Sequence, residues 1–223
     1  QTDLSGTWKY KVVNANIDLP DPRFASLNSN FPTSLFNAMI APLIPFRIAG
    51  VIWYQGESNV SHPIEYRTLF PAMIKNWRTR WNQGDFPFYY VQIAPFEYGP
   101  KCKSQALREA QLLTLAEPNT GMAVTMDISE EKDIHPRNKH DVGDRLARWA
   151  LNKTYDKKNV VFSGPLYKKM EIEGSSIRIY FEYAHEGLLI KGSELTNFEI
   201  AGQDKKFYPA KAIVEGKTVV VSA

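Results

Sequence analysis

The sequence of 223 residues contains one cysteine, no long apolar run and no run of like charges. The single cysteine, Cys102, excludes an intrachain disulfide framework and a thiolate metal cluster. No stretch approaches the roughly 18 consecutive apolar residues that a membrane span needs. The 27 basic and 24 acidic residues are dispersed along the chain, which is not typical of a nucleic-acid-binding surface. We therefore expect neither a membrane nor a nucleic acid as partner.

Between residues 49 and 151, short apolar segments alternate with amphipathic segments of helical period. The predicted strands are 50–54, 86–94 and 122–126, and the predicted helices are 65–82, 104–117 and 141–151. This alternation predicts right-handed crossovers and a parallel sheet with helices on both faces. The predicted fold class is therefore α/β, with three layers.

The two ends of the chain differ from this pattern. Residues 1–30 contain one predicted strand at 4–12 and a proline-containing linker, and a lone strand needs a sheet supplied from elsewhere. Residues 159–223 contain short β-rich segments that predict an antiparallel meander or small β module. The predicted strands of this part are 160–163, 170–172, 177–183, 188–190, 198–200, 212–214 and 218–221. We expect three parts: 1–30 from an upstream region, 31–158 as an incomplete α/β domain, and 159–223 as a β-rich segment.

Two polar clusters follow strands of the predicted parallel sheet. The amide loop, residues 55–59 (QGESN), comes directly after the first strand, and the histidine loop, residues 133–136 (DIHP), precedes the third helix. Taken singly, the first could be a turn that begins a helix and the second a solvated surface loop. In open parallel sheets, however, ligands bind beyond the carboxyl ends of the strands, so the two loops together indicate an active site.

Longer sequence blocks surround these two loops. The first comprises residues 31–43 (FPTSLFNAMIAPL) and 50–59 (GVIWYQGESN). The second comprises the histidine loop with Asn138, Lys139 and residues 142–147 (VGDRLA). Both blocks resemble the core of the sialate O-acetylesterase family of the SGNH-hydrolase group, and residues 198–221 are similar to the C-terminal region of that family. The resemblance implies a flavodoxin-like SGNH fold, an O-acetylated sugar as substrate, serine–histidine chemistry and no metal or organic cofactor.

The resemblance assigns roles to five positions. His135 matches the general base, Asp133 the acid beside it, and Gln55 the amide of the oxyanion hole, while Glu57 and Asn59 are predicted to border the substrate. In the wider group the acid stands three residues before the histidine, where this chain has a lysine, so Asp127 is an alternative to Asp133.

The nucleophile is the main departure from the family pattern. The family's serine lies in a Gly-Gln-Ser-Asn block near the start of the sheet, and this sequence has no such block. Ser58 lacks the second glycine of a nucleophile elbow. We therefore expect the chain to be the C-terminal part of a catalytic domain and inactive by itself. The serine would come from an upstream segment or a second chain.

Three functions remain open from the sequence. The first is removal of O-acetyl groups from sialic acids or related sugars, and the second is deacetylation of xylan or another polysaccharide. The third is a carbohydrate-binding remnant that has lost catalysis. The resemblance also implies a secreted, periplasmic or lysosomal setting.

Overall fold

The computed structural model describes Phe31, residues 33–99 and residues 102–223. These residues fall into two compact units that divide after Phe46. The described part of the first unit contains a π-helix, Phe36–Ile40, and a 3-10 helix, Ala41–Leu43. The strand predicted at 4–12 and its linker lie outside the described residues, and the boundaries after residues 30 and 158 stay predictions.

The second unit begins with three strand–helix pairs, as the sequence predicts. The strands are β1 (Val51–Trp53), β2 (Phe88–Val91) and β3 (Thr120–Ala123), and the α-helices are α1 (Pro63–Trp81), α2 (Ser104–Leu113) and α3 (Lys139–Trp149). Short 3-10 or π-helical turns span Glu57–Asn59, Thr114–Ala116 and Ala150–Thr154. No helix of the described residues is long and apolar enough to cross a membrane.

The three strands form a parallel sheet in the order β1-β2-β3. Successive side chains of β2 point to opposite faces. Tyr90 contacts the α1–α2 layer, because its ring lies 5.0 Å from that of Phe70 and its hydroxyl donates to Gln111 O. Tyr89 lies in a core cluster with Leu146 and Trp149 of α3. Helices therefore cover both faces, which confirms the predicted three-layer α/β fold.

The third strand begins and ends earlier than the sequence pattern predicts. It spans Thr120–Ala123, and beyond it side chains replace the strand pairing: the Thr125 hydroxyl donates to Gln92 O, and Gln111 Oε1 accepts from Ile93 N. Gly121 allows helix α3 to pack closely, since a Cβ atom there would lie 2.5 Å from the Trp149 ring. Helix α3 therefore packs directly against β3.

The C-terminal part is an antiparallel sheet, which confirms the predicted β-rich segment. Its strands are β4 (Leu166–Glu173), β5 (Ser176–Glu182), β6 (Leu195–Ala201), β7 (Phe207–Glu215) and β8 (Thr218–Ser222). The order β4-β5-β8-β7-β6 is not that of a meander, because β5 pairs with β8 and not with β6. Two-residue turns close the β4–β5 and β7–β8 hairpins, and their first residues, Gly174 and Gly216, have φ of 62° and 61°.

Two predicted strands of this part, 160–163 and 188–190, are wrong because these apolar segments pack as loops. Phe162 places its ring 4.7 Å from the ring of Trp149. Leu188 packs against the apolar cluster of the antiparallel sheet, and its N–H donates to Gly216 O at 3.2 Å. Phe162 and Leu188 are half-buried and pack without strand pairing, whereas Val161 and Leu189 are exposed.

Candidate active site

The amide loop and the histidine loop lie at the same edge of the parallel sheet, beyond the carboxyl ends of β1 and β3. Two contacts connect the segments that lie at this edge. The Nζ atom of Lys139, which begins α3, lies 4.7 Å from the ring centroid of Tyr54, which precedes the amide loop. The N–H of Glu97, after β2, donates to Glu131 O before the histidine loop at 2.9 Å. These contacts connect the segments next to the two loops, and the approach of Gln55 to His135 stays a prediction.

Gln55 is held through both its main chain and its side chain. Its carbonyl oxygen accepts hydrogen bonds from the Tyr66 hydroxyl and from Gln111 Nε2, each at 3.4 Å. Its side-chain Nε2 donates to Asn59 Oδ1 at 3.0 Å. The structure thus brings two of the predicted site residues, Gln55 and Asn59, into direct contact.

Gly56 makes the tight backbone of the amide loop possible. Its φ of 148° lies in a region that side-chain-bearing residues avoid. A Cβ atom at this position would also lie 2.9 Å from Ile93 Cγ2 and 3.2 Å from Gln111 Nε2. The chain therefore passes close to β2 and α2 before it enters the Glu57–Asn59 turn.

Glu57, the first residue of that turn, acts electrostatically on nearby tyrosines. Burial, and secondly the charge of Glu57, raise the pKa of Tyr98 to about 12, while the cation of Arg108 opposes this rise. Burial also raises the pKa of Tyr54, again with Glu57 as the second cause. At neutral pH these hydroxyls therefore stay protonated. Among the described residues, the hydroxyls of Tyr54 and Tyr98 and Nη1 of Arg108 are buried without a hydrogen-bond partner.

His135 lies on an exposed loop whose shape depends on Asp133. The Asp133 carboxylate accepts a hydrogen bond from the backbone N–H of His135 at 2.8 Å. Pro136, the next residue, is buried and anchors the end of the loop. The structure therefore brings Asp133 and His135 together through the main chain, in a turn typical of aspartate.

Asp127, the alternative acid, lies in a different environment. Arg145 donates two hydrogen bonds to its carboxylate, at 2.6 and 2.8 Å. These bonds are the main cause that holds the pKa of Asp127 below its ordinary value of 3.8. Asp127 and Arg145 line an open cleft of about 480 Å³ between β3, α3 and residues 161–166. Arg145 is thus the immediate partner of Asp127, and the choice of acid for His135 stays a prediction.

The remaining histidines near the site are on the surface. His62 lies 3.6 Å from Glu65, and His140 lies 3.5 Å from Asp141 with 93% of its side chain exposed. Across the described residues, no group of three or more His, Cys, Asp or Glu side chains could hold a metal ion.

Gln111 is a site residue that the sequence analysis did not single out. It is fully buried on α2, where its Oε1 accepts from Ile93 N and its Nε2 also approaches Val91 O. The signal was present in the sequence, because Gln111 occupies the same helical stripe as the buried Leu107 and Thr114. A glutamine in an apolar stripe must find buried hydrogen-bond partners, and here one of them is Gln55.

Comparison with known proteins finds similar sequences and folds. The family profile described as carbohydrate esterase, sialic acid-specific acetylesterase, matches residues 27–152, which is more than half of the chain. The sialate O-acetylesterase of Homo sapiens is 35% identical over 176 residues, which cover 70% of this chain and 32% of that protein. The enzyme of the same name from Mus musculus is 34% identical over 187 residues, which cover 75% of this chain and 34% of that protein.

A solved structure is similar as well. The crystal structure of a carbohydrate acetylesterase from Xanthomonas citri matches with a TM-score of 0.79 and 41% identity, over 85% of this chain and 45% of that one. The chain thus spans about a third of the length of the curated relatives described above. On the profile, the sequence relatives and the shared fold, the chain belongs to the sialic acid-specific acetylesterase family of carbohydrate esterases.

Proposed function

We propose that the protein removes O-acetyl groups from sialic acids or related sugars, and that this chain supplies the general base and an oxyanion donor. The supporting observation is the position of the amide loop and the histidine loop at one edge of the parallel sheet, tied by the contact of Lys139 with Tyr54. Membership of an acetylesterase family supports ester hydrolysis as the reaction.

The proposed reaction is acyl transfer through a serine. The serine oxygen attacks the acetyl carbonyl while His135 takes the hydroxyl proton. The Gln55 N–H donates to the negatively charged oxygen of the tetrahedral intermediate. The bond between the acetyl carbon and the sugar oxygen then breaks, and His135 returns the proton to that oxygen. Water, activated by His135, hydrolyses the acetyl-serine and releases acetate.

Asp133 is proposed to orient His135 by shaping the histidine loop, since its carboxylate accepts the backbone N–H of His135. Glu57 and Asn59 lie on the turn next to Gln55 and are the candidates for contact with the sugar. The chemistry requires no metal or organic cofactor.

The serine is proposed to come from an upstream segment or a second chain, so that this chain alone is inactive. The exposure of β1 supports this proposal. Ile52 is 71% exposed at the sheet edge, whereas Phe88 and Tyr89 of the neighbouring β2 are 0% and 4% exposed. Within the part of the chain that the structure describes, β1 pairs with β2 alone, and parallel strands are normally covered on both faces, so a further element beside β1 would complete the sheet. A secreted, periplasmic or lysosomal setting is part of the same proposal.

The proposal is tested on the complete gene product with nitrophenyl acetate, an O-acetylated sialic acid and acetylated xylan as substrates. We expect His135→Ala to lower kcat/KM by about 10²- to 10⁴-fold, since proton transfer by a positioned base contributes that much. His140→Ala, on the same segment with its side chain 93% exposed, is the matched control.

Three outcomes would contradict the proposal in different ways. Equal activity of the His135→Ala variant and the unaltered protein would show that His135 is not the general base. Preference for acetylated xylan would change the substrate class while keeping the chemistry. A complete gene product that binds sugars without hydrolysing any ester would identify a carbohydrate-binding remnant.

A further inference from the structure

The main chain of Gln55 has little freedom. Its carbonyl oxygen accepts from Tyr66 and from the fully buried Gln111. The following residue, Gly56, is in contact range of the Ile93 side chain. The Cα of Gln55 is therefore fixed, and the remaining variable is the orientation of its side-chain carboxamide.

That orientation decides whether Gln55 favours or opposes an oxyanion. A carboxamide has an NH₂ group with two donors at one end and an acceptor oxygen at the other. With the NH₂ end toward the substrate, the side chain stabilises the negative charge. Rotated by half a turn, it would direct its own oxygen at that charge and repel it.

Asn59 is in the position to hold the favourable orientation. Its Oδ1 accepts one N–H of Gln55 at 3.0 Å, and the second N–H of the same group stays available. The main chain of Asn59 is fixed as well, because its N–H donates to Gly56 O and its carbonyl accepts from His62 N, each at 2.8 Å. The residue that accepts from the Gln55 amide therefore has a main chain held by two hydrogen bonds.

We propose that Asn59 is a positioning residue, which holds the NH₂ end of Gln55 toward the developing oxyanion. This inference rests on the proposed function, because it assigns Asn59 a role in the same acyl transfer. It differs from direct sugar binding in its kinetic consequence. A positioning residue acts on kcat through Gln55, whereas a sugar contact present in the bound substrate acts on KM.

The test is a double-mutant cycle in the complete gene product, with an O-acetylated sialic acid as substrate. Gln55→Ala is expected to lower kcat by about 10²-fold, as for the loss of one oxyanion donor. Asn59→Ala is expected to lower kcat by about tenfold with KM unchanged, because the carboxamide is then free to rotate. In the Gln55→Ala background, Asn59→Ala should change kcat by less than about twofold, since the residue through which it acts is gone.

Two further variants serve as controls. Asn59→Leu keeps the size of the side chain without an acceptor and should reproduce the loss of kcat if Asn59→Ala does not fold. Ser58→Ala, on the exposed face of the same turn, should retain the kcat of the unaltered protein. Unfolding midpoints of all variants show whether the fold is kept.

The outcomes separate this inference from the proposed function. The inference is overturned if Asn59→Ala lowers kcat equally in both backgrounds, or raises KM at unchanged kcat. If Gln55→Ala keeps full activity while His135→Ala is inactive, the oxyanion assignment itself fails. If neither Gln55→Ala nor His135→Ala affects activity, the proposed function fails as a whole.

Discussion

The parallel sheet and the antiparallel sheet of this chain differ in whether their polar groups are buried or exposed. One face of the antiparallel sheet is apolar and centred on the buried Ala212, Val219 and Val221. On the other face, charged side chains pair across strands: Arg178 contacts Glu173 at 2.7 Å and Glu215 at 2.9 Å. Its charges stay at the surface, where each pair contributes little to stability.

At the carboxyl edge of the parallel sheet, polar groups are buried instead. Gln111 is fully buried, and the hydroxyls of Tyr54 and Tyr98 are buried without partners among the described residues. Such groups are costly unless hydrogen bonds compensate them, but once bonded they fix a loop in one geometry. The antiparallel sheet thus keeps its charged groups at the surface, whereas the candidate site is positioned by polar groups that are buried.

The largest loss of stability should follow from Gln111→Leu, which removes a buried polar group at the edge of the parallel sheet. This change leaves the buried N–H of Ile93 without its acceptor and removes one of the two hydrogen bonds to the carbonyl of Gln55, so we expect a loss of about 3 kcal/mol in the free energy of unfolding. Urea unfolding measures it. Gln105→Leu, on the exposed side of the same helix, should stay within about 0.5 kcal/mol of the unaltered protein. Equal effects of the two changes would mean that the buried amide does not hold the loop.

A smaller difference should separate two glycines with positive φ. Gly56→Ala combines an unfavourable φ of 148° with a Cβ atom 2.9 Å from Ile93 Cγ2. We therefore expect a loss of about 2 kcal/mol in the free energy of unfolding. Gly174→Ala, in a hairpin of the antiparallel sheet, has a φ of 62° and open space, so only about 1 kcal/mol of backbone strain is expected. Thermal unfolding of both variants compares them. A larger loss of unfolding free energy for Gly174→Ala than for Gly56→Ala would contradict this prediction.

The smallest effect should be the pH dependence of the pair formed by Asp127 and Arg145. The folded pKa of Asp127 lies below its ordinary value of 3.8, chiefly because Arg145 donates hydrogen bonds to it. The stabilisation is therefore fully present above that ordinary value and is lost as pH falls through the folded pKa. Asp127→Asn should lower the unfolding midpoint at pH 7 and make little difference at the most acidic pH at which the protein stays folded. If the difference in unfolding midpoint between Asp127→Asn and the unaltered protein grew as the pH fell, this assignment would be contradicted.

Much of the fold could be predicted from local patterns. The strand–helix alternation predicts the three βα pairs, and the short β-rich segments predict the antiparallel sheet of the C-terminal part. The errors have physical reasons. Residues 160–163 and 188–190 have the composition of strands, but the apolarity of Phe162 and Leu188 serves packing against aromatic and aliphatic clusters. The early end of β3 coincides with side-chain hydrogen bonds of Thr125 and Gln111 to the neighbouring strand's continuation, which local patterns do not reveal.

The sequence by itself determined the family and the two polar loops, because residue type and spacing around residues 55–59 and 133–136 carry that information. Only the tertiary structure decided what those side chains contact. Gln55 meets Asn59 and Gln111, Asp133 meets the main chain of His135, and Asp127 meets Arg145. Hydrogen-bond partners depend on distances between separate elements, and those distances exist only once the helices have packed on the sheet.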